Sequence, residues 1–425
     1  MNKLKWLYPG IGIKRWVLLV LAGFFLLSTG LAIITNFHFG LLLEKIVIEL
    51  SLLISGDYPV VFRIIIGVII LNSGIWLVLW SLGKIEKRFN QELLSDEELV
   101  DVLYERKLLE KGPRVVSLGG GTGLSNLLRG LKIYTSNLTA IVTVADDGGS
   151  SGRLRTEMGI LPPGDIRNCL IALADMEPLM EKLLQHRFSK NSSLQGHSFG
   201  NLFIASMNEV VGGNFEEAVQ ESSKVLAIKG QVLPATNENV QLGAIYDDNQ
   251  VKMGESVIPV RNKKIKKVFL KPASCEPTAA ALRAIKEAEI ITIGPGSLYT
   301  SILPNLLVPG IAEAIRNSRA PKIYICNLMT QPGETDNYTA SDHLQAISLH
   351  VGDCIVDYVI VNHKQGPEKL RKRYQQEGAY PVKSDHRKLA KMNVEVISGD
   401  LLSENEFLRH DPLQTAAEIF SIIEK

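Results

Sequence analysis

The chain has 425 residues, 46% of them hydrophobic, and a net charge of +1; this length allows a membrane segment plus one large domain or two smaller ones. Lys and Arg balance Asp and Glu and form no massed tract, which gives nucleic-acid binding no support. Cys169, Cys275, Cys326 and Cys354 stand far apart, outside metal-ligand and redox spacings, and are expected as reduced core residues.

The first hundred residues differ in kind from the rest. Trp16 to Thr35 is an uncharged apolar run, close to the ~20 residues a helix needs to cross a bilayer. Ile64 to Leu82 is a second such run, with Trp76 and Trp80 near its end. Between them, residues 40–55 carry Glu44, Lys45 and Glu49 and read as an amphipathic helix at the membrane interface. Lys3, Lys5, Lys14 and Arg15 precede the first span, and Lys84, Lys87 and Arg88 follow the second. Positive-inside bias therefore puts both ends in the cytoplasm. The first run lacks a small-x-small cleavage site, which argues against a cleaved signal peptide. Residues 1–83 are thus expected to be a two-span anchor in a bacterial cell membrane. A helical linker over 84–113 follows, stopped by Gly112-Pro113, and a domain over 114–425 that faces the cytoplasm.

That domain opens with an apolar strand, Val115 to Leu118, running into Gly119, Gly120, Gly121, Thr122 and Gly123. Leu124, Leu127, Leu128 and Leu131 then recur at helical spacing. A glycine turn between a strand and a helix N-terminus lets backbone N–H groups approach phosphate oxygens at the positive end of the helix. The loop lacks the Lys-Ser/Thr pair of a P-loop, which argues against ATP hydrolysis by that route. Leu124 stands where a dinucleotide fingerprint has its third glycine.

A second strand, Ala140 to Val144, leads to Asp146, Asp147, Gly148, Gly149 and Ser150. Asp146 falls about where a ribose-binding acid belongs, so an NAD-dependent enzyme competes on local pattern. Alternatively Asp146 or Asp147 holds Mg²⁺, although strand alternation points the two to opposite sides. Arg153 and Arg155 are placed to meet phosphate. Asp165, after Leu161-Pro162-Pro163-Gly164, reads as a helix N-cap, with Arg167 and Asn168 as further polar candidates. His197 to Asn201 opens another apolar helix, and His197 and Asn201 are candidates to reach a base or sugar.

Ile290 to Ile293 repeats the strand–glycine turn–helix design, with Gly294, Pro295, Gly296 and Ser297 as the turn. Two such turns suit a pyrophosphate or two separate phosphates. Lys322 to Ile325 is a further strand, with Asn327 and Thr330 after its C-terminal end, where open α/β sheets bind ligands. Tyr358 to Val361 is another. Near the C-terminus, Tyr374 is placed to stack on a base and Arg409 to meet phosphate. No nucleophile elbow or metal-binding His-Glu helix occurs, so binding and regulation are favoured over catalysis.

The blocks GGGTGLS (119–125), ADDGGSSGRLR (145–155), LPPGDIRNCL (161–170), HSFGNL (197–202), IGPGSLYTSILPNLL (293–307) and CNLMTQPGETDNYTASDHL (326–344) resemble the YvcK/CofD-like family, and its YvcK branch more than its CofD branch. The resemblance implies a doubly wound, mostly parallel Rossmann-like α/β sheet that binds a sugar nucleotide of the UDP-N-acetylglucosamine type. It further implies a gluconeogenesis-factor-like regulator, linked to peptidoglycan precursors or central carbon metabolism and to cell shape. A contribution of Tyr374 and Arg409 to nucleotide binding is implied by the same resemblance. CofD-like relatives are Mg-dependent transferases of a phospholactyl group to a deazaflavin, and that is the enzymatic alternative. The resemblance names neither a protein partner nor an oligomeric state; a self-associated form and an unidentified protein partner are both expectations. The membrane hairpin is an addition to the YvcK pattern.

Overall fold

Continuous apolar runs bounded by polar turns give a parallel sheet that is covered on both faces. In the computed structural model these runs are β1 (Val115–Gly119), β2 (Leu138–Val142), β3 (Gln231–Pro234), β7 (Ile290–Ile293), β8 (Lys322–Ile325), β9 (Tyr358–Asn362) and β10 (Glu395–Gly399). They form one sheet in the order β10-β9-β8-β7-β1-β2-β3, and every pairing is parallel. β2 begins and ends two residues before the expected Ala140–Val144, because Thr143 and Val144 already belong to the turn. Within the sheet, Thr292 donates to Ser117 across the β1–β7 pair at 2.7 Å, which satisfies two buried hydroxyls.

The structure describes residues 107–425 except 176–177, 190–193, 261, 405–406 and 424–425, together with Lys45 and Glu49. The chain divides into two units, Met1–Leu108 and Leu109–Lys425. The expected spans, and all of the interfacial segment except Lys45 and Glu49, lie outside the described residues. Among the described residues no single helix is long and apolar enough to cross a membrane.

Helices cover the sheet because their apolar stripes have nowhere else to go. Helix α1 (Gly121–Leu131) buries Leu124, Leu127, Leu128 and Leu131 completely. Each contributes about 1.5–3 kcal/mol of transfer free energy. After β2 come α2 (Gly149–Met158), α3 (Gly164–Leu173), α4 (Pro178–Gln185), α5 (Phe199–Val210) and α6 (Phe215–Val225). A small antiparallel sheet, in the order β5-β4-β6, is inserted between β3 and β7; its strands are β4 (Gln241–Tyr246), β5 (Val251–Met253) and β6 (Ile265–Lys271). The second half adds α7 (Ala279–Glu287), α8 (Leu303–Leu306), α9 (Ile311–Asn317), α10 (Ala340–Val351), α11 (Glu368–Gln376) and α12 (His386–Lys391). The hairpin β11 (Leu402–Glu404)–β12 (Leu408–His410) and helix α13 (Pro412–Ser421) finish the chain. Cys169, Cys275 and Cys326 are buried, Cys354 is partly so, and all four are free thiols, as expected.

Succession along the sheet reverses between β1 and β7. One half runs outward through β2 and β3, the other through β8, β9 and β10. The loops after β1 and β7 therefore diverge to opposite faces and leave a crevice between them, the place where open α/β sheets bind ligands.

Candidate functional site

A cleft of about 600 Å³ opens at this switch point. On one side lie Gly120, Gly121, Thr122 and Gly123; on the other Pro295, Gly296 and Ser297. Both glycine turns thus face one space, as their shared design predicts. They also pack on each other: a Cβ at Gly123 would stand 2.5 Å from the Pro295 carbonyl oxygen. Asn305 Nδ2 donates to the Gly119 carbonyl at 2.8 Å and clamps the end of β1 to the helix that follows the second turn. Gly119 is therefore a strand end behind the cleft. Gly294, at φ +84°, shapes the second turn from behind in the same way. Gly121 has φ +61°, a left-handed backbone that only glycine adopts without strain, and its Cβ position faces open cleft.

The acids come from separate segments. Asp146 lines the cleft and accepts from Gly148 N–H at 2.9 Å. Asp147 does not line it; its carboxylate accepts from Ser256 N–H at 2.8 Å. The pair thus diverges, although both acids lie in the turn beyond β2, where strand alternation does not apply. Asp165 sits in the first turn of α3, whose N-cap is Pro163, so it does not cap that helix. Its carboxylate reaches the start of α1 and accepts from Gly121 N–H. Burial and nearby Asp146 push its pKa up to about 6, against the opposing pull of that hydrogen bond and of Arg167. Glu255, in a single 3₁₀ turn after β5, is a third cleft carboxyl. Burial, then Asp146, Asp165, Glu334 and Asp147, push it up to about 8. Glu334 is buried behind the lining residue Thr300, where it accepts from Thr300 Oγ1 at 3.2 Å and Tyr299 N–H at 3.3 Å. Burial raises its pKa to about 7.

The far wall belongs to the C-terminal half. Asn327, Thr330 and Gln331 follow β8, and Gln331 donates to Ser297 Oγ at 2.7 Å. Tyr374 of α11 lines the wall, as do Phe407, Arg409 and His410 of the hairpin. The Arg409 guanidinium lies 5.2 Å from the centroid of the Phe407 ring. His410 holds this hairpin in place. Its Nε2 bonds to the Cys326 carbonyl at 3.1 Å, its own carbonyl accepts from Asn126 Nδ2, and burial pulls its pKa down to about 4.

The remaining residues singled out from sequence lie behind the lining. Ser150, His197 and Asn201 form a buried relay: Ser150 Oγ bonds to His197 Nδ1 at 3.0 Å and accepts from Asn201 Nδ2 at 3.0 Å. This relay joins α2 to α5, so His197 and Asn201 act as struts and do not touch the cleft. Gly148 and Gly149 form the turn into α2. Arg153 points away and donates to the Gln195 carbonyl at 2.5 Å. Asn168 accepts from Arg167 at 2.8 Å and faces a neighbouring recess. Asn126, Thr143, Glu255, Thr300, Ser301, Gln331 and Phe407 line the cleft without having been singled out; Thr300, Ser301 and Gln331 lie inside distinctive blocks, the others do not.

Asp165 and Glu255, carboxyls with raised pKa values beside the two glycine turns, could hold a divalent ion brought in with phosphate, with Arg155 and Arg167 close enough to act on Asp146, and Arg167 on Asp165. Asp146 and Asp165 are the carboxylates nearest the glycine loop. Among the described residues no three acidic, His or Cys side chains meet in metal-ligand geometry. Mg²⁺ there would take most of its ligands from phosphate and water, which is its usual habit.

Fold and cleft together define an open α/β protein in which two strand-to-helix turns face one cleft at the switch point. Residues 115–402 match the family described as 2-phospho-L-lactate transferase CofD, and the chain belongs to this CofD-like family. Its relatives include proteins called gluconeogenesis factor. One, from Bacillus subtilis, is 51% identical over 314 residues, 74% of this chain and 99% of the relative. A relative from Nostoc sp. is 47% identical over 417 residues, 97% of this chain and 91% of its own. The first hundred residues are thus matched in Nostoc, while the Bacillus relative lacks a counterpart to about a quarter of this chain. A crystal structure of a UPF0052-family protein from Bacillus halodurans superposes with a TM-score of 0.71 at 53% identity, covering 73% of this chain and 99% of that one.

Proposed function

We propose that the protein is a membrane-tethered sensor of a nucleotide sugar of the UDP-N-acetylglucosamine type. Its ligand state would pass to a protein partner in cell-wall precursor or central carbon metabolism. One observation carries this reading: two anion-holding turns face each other across one cleft whose far wall offers Tyr374, Phe407 and Arg409. The turns suit a diphosphate, the aromatic and guanidinium groups suit a base, and the polar floor at Gln331 and Thr330 suits a sugar. The name gluconeogenesis factor, carried by close relatives, supports a regulatory role.

A second reading is a Mg-dependent transferase of the phospholactyl type. The raised pKa values of Asp165 and Glu255 favour it, since crowded carboxyls are where a cation or a transferred proton is held. Bound Mg²⁺ would neutralise phosphate charge, and Asp146 and Asp165 would hold it. Titration calorimetry of the full chain in detergent tests both readings against the NAD alternative. UDP-N-acetylglucosamine is expected to bind, more weakly in EDTA, while NAD and a deazaflavin release no heat. Deazaflavin binding with turnover of a phospholactyl donor would favour the transferase, and binding of NAD alone would sink both.

A further inference from the structure

Beside the cleft lies a smaller recess of about 320 Å³, which meets it at Thr122 and Arg409. Its chemistry is the reverse of the cleft's. Arg129 of α1, Arg167 of α3, Arg187 after α4 and Arg409 of β12 line it, and among the described residues no carboxyl does. Among the described residues Glu181 pairs with Arg129 at 2.6 Å, and Asp165 and Asp146 act on Arg167 from the cleft side. Arg167 is the most enclosed of the four. Its terminal nitrogens donate to Ser198, Asn201 and Asn168, while its Nε is buried with no hydrogen-bond partner. Burial and the like charge of Arg187 push its pKa down, against the opposing pull of Asp165 and Asp146. Four guanidinium groups around one small space repel one another unless an anion joins them. Planar forks of this kind bind phosphate oxygens bidentately.

We propose that this recess is a second anion site, which takes the phosphate group of a phosphorylated small molecule. It opens beside the first glycine turn, shares Thr122, Asn126 and Arg409 with the cleft, and is built by its own guanidinium groups. The phosphate belongs either to a separate metabolite or to an extra phosphate on the molecule in the cleft; both present the same dianion. A separate metabolite would share Arg409 with the nucleotide cleft, and the two ligands would then affect each other's affinity reciprocally.

The test is titration of the full chain in detergent with inorganic phosphate, then with UDP-N-acetylglucosamine. Arg187→Gln and Arg129→Gln are the variants, because neither residue lines the cleft. Arg187 is exposed, and among the described residues its side chain donates only to the Gly196 carbonyl, at 3.1 Å, so the substitution is expected to leave the fold alone. Each variant is expected to weaken phosphate binding about tenfold while nucleotide-sugar affinity moves by less than about twofold. Phosphate binding that persists under saturating UDP-N-acetylglucosamine shows that the recess fills apart from the cleft diphosphate; binding lost there places the titrated phosphate in the cleft and overturns the second site. A wild-type protein that does not bind phosphate overturns the proposal, as does equal phosphate affinity in wild type and both variants. If UDP-N-acetylglucosamine itself fails to bind, the phosphate comparison still decides.

Discussion

At Glu255, burial and the carboxyls of Asp146, Asp165, Glu334 and Asp147 hold the proton on to about pH 8. An unfolded glutamate loses it near 4.5. Between those values the folded chain binds more protons than the unfolded one, so stability falls as pH rises. The contribution is fully present below about 4.5 and gone once pH passes about 8. Glu334 and Asp165, raised to about 7 and about 6, act in the same direction over narrower windows. Glu255→Gln keeps the shape and removes the titration. Its melting temperature is expected to exceed that of wild type by roughly 1–3 °C at pH 8, with the gap closing by pH 5. Equal melting curves at both pH values would show that Glu255 is solvated in solution. The same acid group bears on ligand choice, since a bare dianion entering the cleft meets negative charge that grows between pH 6 and 8. An accompanying cation removes that penalty.

The two glycine turns act as elements, each a strand end, a turn and a helix start. Gly123 fails any side chain because the Pro295 carbonyl fills its Cβ position. Gly123→Ala would push the turns apart and cost both stability and binding. Gly121 is different, since its Cβ would enter open cleft, 3.9 Å from Asp165 Oδ1, at the cost of a left-handed backbone. Gly121→Ala is expected to lose about 1–2 kcal/mol of stability from that backbone. It should also weaken UDP-N-acetylglucosamine binding about tenfold or more, because the methyl blocks close approach to phosphate. Gly121→Asn separates the causes, since asparagine tolerates the left-handed region and still fills the space. If Gly121→Asn binds like wild type in calorimetry, the loop does not touch the ligand. These turns were legible in the sequence because backbone chemistry leaves a local mark, glycines between an apolar run and helical spacing. The strands β1, β7, β8 and β9 were legible for a related reason, since buried parallel strands read as continuous apolar runs. β4 and β5 alternate or are short, and left no such mark. Glu255 and Phe407 reach the cleft only through long-range packing, so nothing local to either residue announces it. His197 shows the converse: its block is distinctive, yet the hydrogen bond to Ser150 makes it a strut between helices.

At the scale of the whole molecule, the cleft draws every lining residue from Gly120 to His410. All of them lie in the unit Leu109–Lys425. The Bacillus subtilis relative is a natural version of that unit alone, matched over 99% of its own length. Residues 1–108 would then have a separable task, and the proposed two-span anchor would give it to the bilayer. A chain beginning at Leu109 is expected to bind UDP-N-acetylglucosamine within about twofold of the full chain in detergent. The readout for the anchor is different: after cell lysis the full chain should sediment with membranes and resist extraction by high salt or carbonate, whereas the shortened chain stays in the supernatant. Salt-sensitive attachment of the full chain would replace two spans with a surface-bound amphipathic segment such as 40–55, since electrostatic binding is screened and spanning is not. A shortened chain that folds but loses the ligand would mean that the first hundred residues shape the cleft, and the division into anchor and sensor would fall.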